Sequence, residues 1–89
     1  MSRPHPMGDT RTHLMLFRTM AAQTGADTLR AFEEGTLDAD GWVDAVERCR
    51  DCRWVEGCQR FLARPAEGRK AVPQDCANAD LLREIVLPG

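Results

Sequence analysis

No stretch of the 89-residue sequence stays apolar for long. The longest uninterrupted run is Leu14-Met15-Leu16-Phe17, against the roughly 18–20 residues that a membrane span requires, so no transmembrane helix and no membrane partner are expected. The opening MSRPHPMGDTRTH has two prolines and no apolar segment after Arg3. It does not read as a secretory signal, and a cytoplasmic setting is the expectation. Strand-like alternation of useful length is missing, and so is any internal repeat. The sequence shows no Ser/His/Asp set, no spaced carboxylate pair and no glycine loop shaped for phosphate, so nothing in it supports enzymatic activity. Neither a helix-turn-helix signature nor aromatics interleaved with basic residues point to nucleic acid.

What is present amounts to one small domain. A chain of this length hides only about 60–65% of its unfolded surface, which leaves a marginal core. Apolar residues make up 43% and charged residues 29%, the balance of an ordinary soluble globular protein. The net charge of −2 conceals a polarity along the chain. Residues 26–47 carry Asp27, Glu33, Glu34, Asp38, Asp40, Asp44 and Glu47 against Arg30 alone. Residues 48–70 reverse this, with Arg48, Arg50, Arg53, Arg60, Arg64, Arg69 and Lys70 facing Asp51, Glu56 and Glu67, for a net +4. Solvated helix faces account for such charge runs in most proteins, but this basic half is also the half that holds the cysteines.

The hydrophobic periodicity predicts an all-α fold, a small bundle of four to five short helices. Residues 1–8, with His5 between two prolines, read as a flexible tail, and residues 9–87 as a single helical metal-binding domain. Asp9 or Thr10 caps a first helix with His13, Leu14, Phe17, Met20 and Ala21 on one face, and Gly25 ends it. The segment DTLRAFEEG forms a short second helix with Leu29 and Phe32 turned inward and Gly35 as terminator. A third helix from Asp38 or Asp40 places Trp42, Ala45, Val46, Cys49 and Cys52 within about 120° of arc. After a break near Arg53-Trp54, Val55 to Ala63 brings Cys58, Phe61 and Leu62 together, unless Gly57 makes a tight turn there instead. RPAEGRKAVPQD is a loop, and Asn78 caps a last helix holding Leu81, Leu82, Ile85 and Val86.

Four cysteines in the pattern C-x2-C-x5-C-x17-C, namely Cys49, Cys52, Cys58 and Cys76, are the feature that asks for chemistry. Positions three apart on a helix point the same way, so Cys49 and Cys52 reach one centre without distortion. Consecutive helical turns supply poor geometry for a disulfide between them. A thioredoxin-like redox pair starts a helix after a strand, and no strand precedes this one. Four small buried hydrophobes are the plain alternative. A four-thiolate metal site accounts for the spacing better, and in a reducing compartment four cysteines are more often ligands than bridges. Structural zinc usually draws on two C-x2–4-C pairs, and here there is one. A [4Fe-4S] cluster tolerates thiolates arriving singly, as those of Cys58 and Cys76 do. The expected cofactor is therefore a [4Fe-4S] cluster, with one Zn2+ as the alternative. Either centre leaves about −2 of charge for neighbouring guanidinium groups to offset. His13 reads as a packed histidine rather than a ligand, although it and Asp75 are the substitutes should Cys76 not take part. Trp42 reads as core, and Trp54 either covers the centre or is ordinary core.

The triplet C-x2-C-x5-C resembles the ligand run in the iron-sulfur loops of endonuclease III-type DNA glycosylases. There, however, the fourth cysteine precedes the triplet, and none of their catalytic domain is present here. The order TGAD, AFEEGTLDADGWVDAVERCRDCRWVEGCQRFLA and VPQDCANADLL resembles a family of small bacterial four-cysteine proteins of unknown function, in which the triplet is followed by a Pro-x-x-Cys-x-Asn element. In this sequence the element is Pro73 to Asn78. The resemblance implies a cysteine centre and no particular activity. Two roles are open: a redox-sensing or electron-transfer protein, and an adaptor whose metal fixes a helical surface for a protein partner.

Overall fold

Asp9 opens the first helix. Its carboxylate accepts hydrogen bonds from the Thr12 backbone N–H at 2.9 Å and the Thr12 hydroxyl at 3.0 Å, and these bonds hold its pKa below the usual carboxylate range. In the computed structural model, which describes residues 8–86, this helix is α1, Thr10–Thr24. Gly25 ends it at φ 80°, a left-handed conformation that favours glycine, with its N–H donating to the Ala21 carbonyl. Asp27 and Asp38 cap the next two helices in the same way, accepting from the N–H groups of Arg30 at 3.0 Å and Gly41 at 2.7 Å. They start α2, Thr28–Glu33, and α3, Ala39–Arg50. The helices α4, Val55–Ala63, and α5, Ala79–Ile85, complete the fold. The all-helical expectation holds. Among the described residues the one extended pairing is an isolated antiparallel bridge between Ala26 and Val86, and no helix is long and apolar enough to cross a membrane.

The core lies between α1 and α3, with α4 touching α1 from the side. Phe17 meets the edge of Trp42 with ring centroids 5.4 Å apart, and Met20, Leu37 and Leu82 are fully buried. Burying each of these large side chains contributes roughly 1.5–3 kcal/mol. The long loop after α4 is tied back to α1 by the Lys70 N–H, which donates to the Gln23 carbonyl at 2.7 Å, and the end of α4 is tied to α1 by the Gln23 amide, which donates to the Leu62 carbonyl at 3.0 Å.

Several expectations are corrected. Leu29 and Phe32 do not face inward; they are 66% and 48% exposed. The six-residue α2 approaches the core through the small Ala31, and the chain folds back after Gly35 so that Leu37 takes the interior position, its N–H donating to the Ala31 carbonyl at 3.1 Å. Cys52 lies beyond the end of α3, so the shared helical face predicted for Cys49 and Cys52 does not exist. Gly57 makes no turn but sits within α4, where a Cβ would come within 2.1 Å of the Trp54 ring nitrogen, so its role is to let the indole lie on the helix. Gly8, the last residue of the expected tail, is bonded to α3: its N–H donates to the Arg50 carbonyl at 3.1 Å and its carbonyl accepts from the Arg50 guanidinium at 2.8 Å. The rest of the expected tail, including His5, lies outside the described residues, as does the expected domain end at position 87.

Candidate metal centre

The four cysteines reach one place from three parts of the chain. The last turn of α3 carries Cys49. The chain then leaves the helix at Asp51, and a tight turn, Cys52 N–H to Cys49 carbonyl at 3.2 Å, brings Cys52 back toward it. The Trp54 N–H donates to the Cys52 sulfur at 3.4 Å. Cys58 lies on the buried side of α4. Cys76 is delivered by a turn in which its N–H donates to the Pro73 carbonyl at 3.2 Å, and its own carbonyl accepts from Ala79 at 3.0 Å as α5 begins. All four line a cavity of about 20 Å³, whose other walls are His13, Leu16, Phe17, Met20, Trp54, Val55, Ala77 and Asn78. None is in a disulfide. Trp54 lines the cavity and also packs against Phe61, with ring centroids 6.4 Å apart.

Burial in this apolar setting pushes the Cys49 thiol from an ordinary 9.0 up to about 12 and Cys58 up to about 11, and it raises Cys76 as well. Desolvation is the largest cause, because a thiolate without water or a cation is costly. The second cause is mutual: Cys49 feels Cys58, Cys52 and Cys76, Cys58 feels Cys76 and Cys52, and Cys76 feels Cys52. Every pair among the four is thus close enough to repel as thiolates. A cation at their midst reverses both causes, since it favours the charged sulfurs that burial disfavours.

Asn78 does not act as the expected cap. It occupies the position before α5, but its side chain makes no capping bond. It is 2% exposed and turned to α3, its amide donating to the Ala45 carbonyl at 2.9 Å and its oxygen accepting from the Arg48 guanidinium at 2.7 Å. Its backbone N–H donates to the Cys76 sulfur, which lowers that thiol against the effect of burial. One residue therefore locks the Cys76 turn to the helix that carries Cys49. His13 is buried as expected, yet it belongs to the site. Its Nδ1 lies 3.5 Å from the Cys49 sulfur, and its carbonyl accepts from that thiol at 3.4 Å. It stands 36 positions from Cys49, and only its place on the apolar face of α1 signalled it. Asp75 is exposed and takes no part in the lining.

No Arg or Lys figures among the causes acting on the thiols of Cys49, Cys58 or Cys76. Basic side chains are engaged nearby: Arg48 with Asn78, Arg50 with Gly8 and with Glu47 at 2.8 Å, and Lys70 with the Phe61 carbonyl. Among the described residues, no three His, Cys, Asp or Glu side chains stand as a set that one metal ion could bridge.

The chain belongs to the family of unknown function DUF6455, whose model matches residues 4–86. No curated protein and no solved structure matches it.

Proposed function

From membership in a family defined without a function, we propose that this is a small metal protein of the cytoplasm, not an enzyme, in which Cys49, Cys52, Cys58 and Cys76 hold one [4Fe-4S] cluster. The observation that carries this reading is the convergence of all four thiols on one apolar cavity, where burial raises those of Cys49, Cys58 and Cys76. A chain with a marginal core gains little from packing four small sulfurs around a void, and it gains much if they are ligands. Around one Zn2+ the sulfurs would sit ~3.8 Å apart, the edge of a tetrahedron with ~2.3 Å bonds. A cubane would hold its thiolates farther apart, which suits ligands arriving from a helix end, a turn and a second helix, and because its core is larger than the cavity of about 20 Å³, binding it would move the four sulfurs outward. The spacing shared with glycosylase iron-sulfur loops supports the same choice. The N–H groups of Trp54 and Asn78, aimed at the sulfurs of Cys52 and Cys76, are the kind of donors that tune such a centre. Bound there, the cluster supplies structural cross-linking and one-electron redox capacity, and the apolar walls limit water.

A second reading, that the centre serves mainly to fix a binding surface, is favoured by the exposure of Leu29, Phe32 and Val43. Anaerobic purification followed by iron, sulfide and zinc analysis tests the main proposal. The expected protein is brown, with about four iron and four sulfide per chain. A colourless protein with one zinc would move the reading to the adaptor, and a folded protein with neither metal and four titrating thiols would end it.

A further inference from the structure

Four cysteines give a cubane one thiolate per iron, so the buried imidazole on the same wall has no iron left to take and needs another account. His13 is 6% exposed, lines the cysteine cavity and stands with Nδ1 3.5 Å from the Cys49 sulfur. The Cys49 thiol has a single hydrogen, and it is donated to the His13 carbonyl at 3.4 Å. The sulfur is then left to accept and Nδ1 to donate, which assigns the ring hydrogen to Nδ1. We propose that His13 is a positioning residue of the metal centre, its Nδ1–H donating to the Cys49 sulfur when that sulfur is a ligand.

The ring is also held at its far tip. Gly8 lies against it there, and a Cβ on Gly8 would overlap Nε2 and Cδ2 of His13. Gly8 in turn is bonded to Arg50 in the last turn of α3, the turn that carries Cys49, through its N–H at 3.1 Å and its carbonyl at 2.8 Å. Glycine at position 8 is thus a condition of the ring's place, and the Arg50 bonds tie donor and acceptor to one helix end. When a metal takes the Cys49 sulfur, the thiol loses its hydrogen and with it the bond to the His13 carbonyl. The bond from Nδ1 remains and now meets a thiolate, and hydrogen bonds to ionised acceptors are roughly twice as strong as neutral ones. Reduction of a cluster adds negative charge that its sulfurs share, so a donor at one of them favours the reduced state. Cys52 and Cys76 accept from the backbone N–H groups of Trp54 and Asn78. The donor at Cys49 is a side chain, and a substitution can remove it.

The redox consequence rests on the cluster reading, and the test keeps the two apart. The full chain, purified anaerobically with its metal, is compared at one pH with His13→Leu, which fills the space without a donor, and His13→Asn, whose amide nitrogen takes the place of Nδ1. His13→Leu is expected to lower the reduction potential by at least a tenfold change in the equilibrium constant, about 59 mV for a one-electron couple, with its iron retained. His13→Asn is expected to recover most of that shift. Gly8→Ala displaces the ring without removing it, and it should lower the potential in wild type while adding little to His13→Leu. An unchanged potential in His13→Leu, or equal shifts in the Leu and Asn variants, would overturn the inference. Iron lost from both variants but not from Gly8→Ala would overturn it in favour of His13 as a ligand. Nitrogen NMR of the imidazole in the wild-type protein as purified needs neither a cluster nor a variant that folds. The hydrogen is expected on Nδ1, and a hydrogen on Nε2 alone would overturn the inference even if iron analysis upheld the cluster. A zinc protein with the hydrogen on Nδ1 would support the bond to Cys49 while ending the cluster reading.

Discussion

Around the cysteines the chain buries its side chains: Phe17, Met20 and Cys58 are 2%, 1% and 9% exposed. On the α1–α2–α3 face it leaves large ones outside, with Leu29 66% and Val43 60% exposed. A chain arranged only to bury its own apolar matter would hide Leu29 before Cys58, because a leucine offers more area to hide than a thiol. On the proposed reading, a metal centre would supply the charge that the apolar thiol cavity lacks, and a binding partner would cover the exposed Leu29 and Val43.

Removing the metal should produce the largest effect and break the comparison most directly. Structural four-thiolate sites contribute on the order of 10 kcal/mol of coupled binding energy, comparable to the whole stability of a small domain. Stripping the centre with a chelator or an oxidant should therefore lower helicity and the melting temperature sharply. A metal-free form that melts with the metal-bound one would reduce the cysteine region to ordinary core.

Next in size is Leu82→Ala. Leu82 is fully buried where α5 meets the core, and the truncation should cost about 2–5 kcal/mol, read from denaturant midpoints. Asn78→Ala follows. It removes a buried bond to the Ala45 carbonyl and a charge-assisted one to Arg48, for a loss of about 2–3 kcal/mol, or roughly 8–24 °C in melting temperature for a domain of this size. Hydrogen exchange should show the loss of protection concentrated in α5 and the Cys76 turn rather than in α1. Uniform loss would mean that Asn78 is not the specific link between them.

Helix positions and caps were legible in the sequence because they depend on neighbours a few residues away: Asp9, Asp27, Asp38 and Gly25 act where their chemistry suggested. The four cysteines were legible as a group by spacing alone. What could not be read depends on partners far along the chain. Asn78 has the right residue type and position for a cap, but the Ala45 carbonyl and Arg48, 33 and 30 positions away, compete for its side chain and win. Leu29 and Phe32 look like a helix's inward face, yet which face turns inward is decided by whether Leu37 can fill the space, and periodicity within six residues does not carry that information. The end of α3 before Cys52 was missed for a related reason, since a continuous apolar arc does not reveal where the backbone stops following it.

Alkaline pH sharpens the description of the cysteine side. In metal-free protein that retains its fold, Cys49 and Cys58 bind their protons more tightly than in the unfolded chain, with values raised from 9.0 to about 12 and about 11. The contribution of these thiols to stability is fully present below pH 9.0, because both states are then protonated. It is lost as pH rises through about 11 and 12, because the unfolded state releases its protons first. The melting temperature of the metal-free form should fall across that window. Thiolate absorbance should appear later than in a denatured sample; coincident titration would show that the cavity does not persist without metal.

The smallest expected effect tests the open face. Leu29→Ser removes a side chain that is already 66% exposed, so little apolar area is returned to water and no cavity is left behind. Stability of the isolated chain should change by no more than about 0.5 kcal/mol, even though the same substitution type at Leu82 belongs in the range of several kcal/mol. Serine is a poorer helix former than leucine, but in a six-residue helix held by the Asp27 cap that difference is a few tenths of a kcal/mol. Chemical denaturation of the two variants side by side measures the contrast. A loss above about 1.5 kcal/mol for Leu29→Ser would place Leu29 within the core in solution and remove the binding surface of the adaptor reading, whereas near neutrality leaves the leucine without a structural reason to be there, which is the condition under which a binding role has to account for it.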